Sequence, residues 1–388
     1  MRLVTPVERV LIALGPSRNI VLLTLDEPVT ATAAMAQVMA WVDIWPRFMM
    51  VFRDFGPWHR ADRADIDPAR HVIAVDAGQT PIEELLVAAL TGTTDDDVPP
   101  WRVILVNPAD GACGGPCRII VHFDHTIADG LRFVNILSAG RGHARQPDDF
   151  AAAAARMRRL SFAEFAGQAR DPRINVPDVA ILAVDIRDDL APGDTTRTGA
   201  TRRLTQAITR AVARVASDRR INGRCAIVSR TGQRQAGEAN AITAVEVDSG
   251  PDEAPARLSA AAALLSRLVR RQWFMVAGQT VLSFFPSSLA RRLTAGMATQ
   301  WDGLLTLVPF GRRSLHFAGH EICGIWGLTV PVLPVPLLLI TAAYRNRFHM
   351  SAVTAWQWRG KANAFAEVLE EELCRPAAPP GDCAATKE

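Results

Sequence analysis

The segment Val121-His122-Phe123-Asp124-His125-Thr126-Ile127-Ala128-Asp129-Gly130 has residue types and spacing suited to chemistry. The apolar run Cys117 to Val121 reads as a strand that ends in His125, with Asp129 four residues on and Gly130 next. An imidazole titrates near neutrality, so at a strand end it can take a proton from a hydroxyl or an amine and return it. Gly130 lets backbone approach a substrate where a Cβ would obstruct it. On these residues alone, His125 is either such a base or a core histidine satisfied by hydrogen bonds. Asp129 reads as structural support rather than as a reacting group. His122 and Asp124 read more readily as a solvent-facing pair than as flanks of a site.

Several elements are placed to hold this segment. Val21 to Leu25 reads as a strand, and Thr30 to Trp45 as an amphipathic helix with Ala33, Ala34, Val38, Trp41 and Val42 on one face. Pro81 to Leu90 reads as a helix with Glu83 and Glu84 in its first turn, where the helix dipole favours them. Trp101 to Val106 and Cys117 to Phe123 read as a hairpin whose second strand delivers His125. Leu131 to Ser138 opens a helix. From Ala139 to about Ala200 the chain is polar and rich in Arg and Ala, with short helices around 150–168, and is taken as a crossover. Further helices are expected at 201–219, 254–271 and 362–374, and further strands at 224–229, 242–247, 304–308, 322–330 and 337–343. The fold class is therefore α/β or α+β. The length of 388 residues exceeds what one hydrophobic core usually serves, so two domains are expected. They are placed at 1–145 and 201–374, with a crossover at 146–200 and a flexible tail at 375–388.

Composition excludes several function classes. Hydrophobic residues make up 49% and charged ones 21%, a globular balance, and a net charge of +3 is too small to argue for nucleic acid. Six scattered cysteines form no paired framework, which favours a reducing compartment. Cys113 and Cys117 have no second ligand pair at matching spacing and read as part of a glycine-rich hairpin loop, and no metal role is assigned to His316, His320 or His349. The opening residues do not resemble a secretory signal, so a cytoplasmic location is expected. Ile322 to Tyr344 is uncharged and long enough to span a bilayer. Pro331, Pro334 and Pro336 in mid-run favour two buried strands joined by a Pro-rich connection. The apolar stretch Trp273 to Phe285, with arginines at 270 and 271, is expected to be a buried helix pair; the alternatives are a peripheral membrane contact or the lining of an acyl channel.

The order of the short motifs resembles the bacterial wax ester synthase/diacylglycerol acyltransferase family. That family belongs to the group that also contains chloramphenicol acetyltransferase and the condensation domains of nonribosomal peptide synthetases. The group's His-His-x-x-x-Asp-Gly stands here as Asp124-His125-Thr126-Ile127-Ala128-Asp129-Gly130. Trp45-Pro46-Arg47-Phe48 is similar to the family's Pro-Arg-Phe segment, Arg70-His71-Val72 to its His-Val strand, and Pro99-Pro100-Trp101 to its Pro-Leu-Trp. Gly237-Glu238-Ala239-Asn240 is similar to a Gly-Asn before a core strand, and Leu315 to Ile325 to a Leu-Tyr-x-Ala-Gly stretch ending in glycine. The likeness runs from about residue 1 to 370.

The resemblance implies two chloramphenicol acetyltransferase-like domains with a tunnel between them. It implies transfer of an acyl group from a thioester, on coenzyme A or on the phosphopantetheine of an acyl carrier protein, to a small-molecule hydroxyl or amine. His125 occupies the general-base position. Asn240 is the candidate donor to the oxyanion, a contact worth roughly 3–4 kcal/mol in measured enzymes, with Asp124 a second candidate contact. Asp129 and Gly130 support the turn, and in relatives the aspartate pairs with an arginine. Three motifs depart from the pattern. Asp124 replaces the first histidine, Thr201-Arg202-Arg203-Leu204 replaces Thr-x-Asn-Asp, and Leu307-Val308-Pro309-Phe310 replaces Asn-Val-Pro-Gly. They leave open a relative that binds an acyl carrier or partner without chemistry, beside an ester-forming or a condensation-like, amide-forming enzyme.

Overall fold

The run Asn19-Ile20-Val21-Leu22-Leu23-Thr24-Leu25 has no polar alternation, the mark of a strand covered on both faces. In the computed structural model it is an interior strand of a seven-stranded sheet. The structure describes residues 2–3, 9, 12, 17–55, 58–93, 97–107, 117–139, 145–172, 174–185, 204, 207–208, 210–215, 224–230, 242–248, 281, 284–298, 303–331 and 334–374.

In chain order the strands are β1 (Arg2–Leu3), β2 (Arg18–Leu25), β3 (Met50–Phe55), β4 (Trp58–Arg63), β5 (Val72–Asp76), β6 (Trp101–Asn107), β7 (Cys117–Asp124) and β8 (Arg159–Ser161). They continue as β9 (Asp178–Asp185), β10 (Arg224–Arg230), β11 (Ile242–Asp248), β12 (Gly303–Gly311), β13 (His316–Phe317), β14 (His320–Thr329), β15 (Leu337–Tyr344) and β16 (Arg347–Thr354). The longer helices are α1 (Ala31–Ile44), α2 (Ile82–Thr91), α3 (Gly130–Ala139), α4 (Ser287–Ala298) and α5 (Ala362–Cys374). One sheet has the order β13-β14-β2-β7-β6-β5-β8, a second β11-β10-β12-β15-β16-β9, and a small third β1-β4-β3.

Alternation along β7 sorts its side chains between two cores. Ile119, Val121 and Phe123 face a cluster with Trp41 of α1 and Phe133 of α3, while Ile120 faces a cluster with Leu85 and Leu86 of α2. Trp41 is edge-on to Phe133 and to Phe317, with centroids 5.5 and 5.4 Å apart, and so ties α1 to both α3 and β13. Both clusters continue into the second sheet: Val308, Phe310 and Tyr344 belong to the first, Leu338 and Val353 to the second. The two sheets therefore share core rather than meeting at a wet seam. On its other face the second sheet buries Phe348, Met350 and Ala352 against α5 and the helical residues Leu204, Ala207, Ile208, Ala211 and Val212.

The uncharged run 322–344 does form two buried strands, but they lie in different sheets. β14 pairs antiparallel with β2, and β15 lies between β12 and β16. Gly327 makes the crossing feasible, because a Cβ there would stand 2.9 Å from Ile340 of β15. Among the described residues no helix is long and apolar enough to cross a membrane.

The structure corrects other expectations. The stretch read as a polar crossover contains β9, which pairs along its length with β16. β16 itself was hidden by His349, Ser351 and Thr354, all of which are buried. The β3–β4 hairpin carries too many charges for a strand pattern to show. Of the stretch expected as a buried helix pair, Val281, Phe284 and Phe285 are described and are exposed. The expected helix at 254–271 and the tail from 375 lie outside the described residues.

Candidate active site

β7 ends in a tight turn tied on three sides. The Asp124 N–H donates to the Pro100 carbonyl at 2.8 Å, the His125 N–H to the Ser17 carbonyl at 2.7 Å, and the Ile127 N–H closes on the Asp124 carbonyl at 2.9 Å. The Asp124 carboxylate turns back on the chain: one oxygen accepts the Thr126 N–H at 2.9 Å and the Thr126 hydroxyl at 2.7 Å. Burial pushes the Asp124 carboxyl up, and these two bonds oppose the shift. His125 follows, half-buried.

His122 and Asp124 are not the solvent-facing pair expected. His122 is buried, paired in register with Ile20 and Arg102. Burial, and then the nearby Arg18 and Arg102 charges, hold its imidazole well below the usual histidine range, so it is neutral. Strand alternation had correctly put His122 and Asp124 on one face; that face is covered.

Asp129 is buried at the start of α3, where its carboxylate accepts the Arg132 N–H at 2.7 Å and its carbonyl the Phe133 N–H at 2.9 Å. This is helix capping, with a negative charge at the end where the dipole favours it. The Arg132 guanidinium lies 4.5 Å from the centroid of the Trp45 ring, over its face.

Two side chains that sequence reasoning did not assign to the site brace the turn from below. The Trp45 indole N–H donates to the Ile127 carbonyl at 2.8 Å, and the buried Arg47 guanidinium to the Thr126 carbonyl at 3.0 Å. Pro46 opens the short helical turn Pro46–Met49, which places the two residues on either side of it. Trp101 holds that turn in place, donating its indole N–H to the Phe48 carbonyl at 2.7 Å, and its ring stacks on His71 at 3.9 Å. His71 Nδ1 is in turn 2.9 Å from the Trp101 carbonyl. Three motifs scattered through the first hundred residues thus converge on one turn. Their order was legible in the sequence, but the carbonyls they meet were not.

The second sheet reaches the turn through β12. Gly130 packs on Val308 so closely that a Cβ would stand 3.2 Å from a Val308 methyl. Phe310, two residues along the same strand, is buried in the cluster that holds Ile127, Ala128 and Phe133. Val308 and Phe310 of the rewritten Leu307-Val308-Pro309-Phe310 segment therefore face the His125 turn with their side chains. Gly237 to Asn240, and Thr201 to Arg203, lie outside the described residues. The other histidines stand apart: His320 is 3.3 Å from Glu27, and His349 is buried edge-on to Trp326 at 4.6 Å. Among the described residues no three His, Cys, Asp or Glu side chains gather as a metal set.

Two layered sheets sharing a core, with a histidine turn where β7 and α3 meet β12, define a class: the chain has the two-domain chloramphenicol acetyltransferase-like acyltransferase fold. It is similar in structure to the wax ester synthase/diacylglycerol acyltransferase from Marinobacter aquaeolei VT8, with 96% of this chain and 98% of that one covered, a TM-score of 0.64 and 13% identity. It is similar also to polyketide synthase associated protein 5 from Mycobacterium tuberculosis, covering 97% and 98% at a TM-score of 0.61 and 14% identity. A third likeness is to the starter condensation domain of the rhizomide synthetase RzmA, in a mutant form complexed with C8-CoA and Leu-SNAC. There 96% and 92% are covered, at a TM-score of 0.54 and 11% identity. No protein-family model matches the sequence, and no curated protein does.

Proposed function

We propose that the chain is an acyltransferase that moves an acyl group from a thioester to a hydroxyl, with His125 as general base. The observation that carries the reading is the turn itself. A half-buried histidine follows a core strand, held through main-chain bonds by Ser17, Pro100, Trp45 and Arg47, at the place where the two sheets meet. Such bracing suits a base that must keep one position through a reaction. The likeness to a wax ester synthase/diacylglycerol acyltransferase supports acyl transfer, and the C8-CoA in the condensation-domain complex supports an acyl-coenzyme A donor.

In this reading the two domains are residues 1–145 and 201–374, with a tunnel between them, in a cytoplasmic protein. Donor and acceptor enter from opposite faces. The His125 imidazole takes the acceptor's hydroxyl proton as the oxygen attacks the thioester carbonyl carbon. The tetrahedral oxyanion collapses, the C–S bond breaks, and the imidazolium returns its proton to the leaving thiolate. Ester and free thiol are formed, with no net change of charge or redox state. Asn240 is the proposed oxyanion donor. Asp129 keeps the turn in place without touching the reacting atoms. An amine acceptor, or a carrier-protein pantetheine as donor, uses the same steps.

A second reading has an observation of its own. Val308 against Gly130, with Phe310 buried beside it, fills the seam with side chains, as a non-catalytic acyl-carrier-binding or partner-binding relative would permit. The purified protein incubated with acyl-coenzyme A thioesters and alcohol or amine acceptors separates the two. Acceptor-dependent thiol release that is lost in His125→Ala supports transfer. Thioester binding without release in the wild type, or release unchanged in His125→Ala, overturns it.

A further inference from the structure

Among the described residues the large hydrophobic side chains that stand exposed are Val281, Phe284, Phe285, Leu289, Leu293 and Trp356. All but Trp356 come from one stretch of thirteen residues, 281–293. Phe284 is 69% exposed, Leu293 45% and Leu289 40%. Leu289 and Leu293 are one turn apart on α4 and share a face, while the inner face of the helix buries Ala290. A soluble protein scatters its exposed apolar residues singly, whereas a contiguous cluster marks a surface that something covers.

The charge around the cluster says what covers it. Arg291 and Arg292 are exposed on the same helix. Residues 254–301 contain six arginines, at 257, 267, 270, 271, 291 and 292, and no aspartate or glutamate. In a chain with a net charge of only +3, forty-eight consecutive residues without an acid form a strongly one-signed segment. Leucine side chains on one face of a helix, two phenylalanines in the turn before it and two exposed arginines on the same helix fit the boundary between lipid headgroups and acyl chains. There the rings enter the acyl edge and the guanidinium groups meet phosphates.

We propose that the α4 face, led by Phe284 and Phe285, docks the protein on an anionic lipid surface. The docking is peripheral, since α4 has twelve residues and lies along the interface rather than through it. It is independent of the acyl-transfer reading, because it requires neither His125 nor a turnover assay.

Flotation of the full chain with vesicles of phosphatidylcholine alone, and of phosphatidylcholine mixed in equal parts with phosphatidylglycerol, tests it. Binding to the anionic vesicles is expected, with salt sensitivity and little recovery on the neutral ones. The double variants Leu289→Ser/Leu293→Ser and Arg291→Glu/Arg292→Glu are each expected to weaken it by roughly tenfold or more. The charge-reversed pair is fully on the surface and keeps the test open if the apolar pair unfolds. Equal recovery of wild type and charge-reversed protein overturns the proposal, as does no recovery of wild type on either vesicle. Wild-type self-association in sedimentation that the leucine pair abolishes, without vesicle binding, assigns the face to a second copy instead.

Discussion

The indole N–H of Trp45 donates to the main-chain carbonyl of Ile127, eighty-two residues away, at 2.8 Å. With Arg47 on the carbonyl of Thr126, it makes the position of His125 depend on a helical turn far off in sequence. Main-chain carbonyls are useful anchors here because they leave the side chains of the turn undisturbed.

Trp45→Phe removes that donor and keeps most of the ring. A buried carbonyl left unpaired costs about 1–3 kcal/mol. The variant is expected to stay folded while thioester turnover falls by about tenfold, read as kcat rather than KM if the turn has shifted. Melting temperature and kcat measured together check this. Loss of stability with unchanged kcat would make the indole a scaffold contact only.

Gly130→Ala places a methyl 3.2 Å from a Val308 methyl, tighter than packed carbons tolerate, so a destabilisation of about 1–3 kcal/mol is expected. Val308→Ala in the same chain makes room. The double variant should therefore be more stable than the sum of its singles, by about 0.5–2 kcal/mol in a double-mutant cycle. Strict additivity in urea unfolding would place the strain elsewhere.

Arg18 and Asp171 form a buried ion pair at 3.0 Å that joins β2, beside the Ser17 carbonyl under His125, to the loop after the helix Phe162–Ala166. Arg18→Met leaves the Asp171 carboxylate buried with its guanidinium partner gone, and a loss of about 3–5 kcal/mol is expected. Arg18→Met/Asp171→Leu, which removes both charges, should recover part of it, because the Leu90 and Gly92 carbonyls that Arg18 also meets stay without that donor. Urea midpoints of the three proteins decide.

Three buried histidines make stability fall in acid. Burial lowers His71 and His349 to about 4, and holds His122 well below its usual range. A histidine whose folded value lies below its unfolded one binds fewer protons when native. Its contribution is therefore complete above about pH 6.5 and is lost as the pH falls toward 4. His349 has both ring nitrogens buried without a hydrogen-bond partner. His349→Leu is expected to flatten the slope of unfolding free energy between those limits, by roughly 3 kcal/mol across the range. Thermal unfolding from pH 7 to pH 4 measures it, and an unchanged slope would show that this site does not contribute.

Much of the element order was legible because hydrophobic periodicity is local. The strands around His125 and the helices 31–44, 82–91 and 362–374 follow from patterns a few residues long. β16 was missed because its buried face carries His349 and Ser351, polar types that normally mark the surface. Phe284 and Phe285 were misread for the converse reason: an apolar stretch suggests burial, and both are exposed.

By itself the sequence determined a strand that delivers His125, a helix over 131–138, and a set of short motifs in a recognisable order. These depend on residue type and spacing, which the chain carries locally. Only the tertiary structure decided that Trp45, Arg47 and Pro100 meet at one turn. It alone put β14 in one sheet and β15 in the other, and set Val308 on Gly130. Those contacts join residues tens to hundreds of positions apart. They arise from how two sheets bury a shared core, which no window along the chain contains.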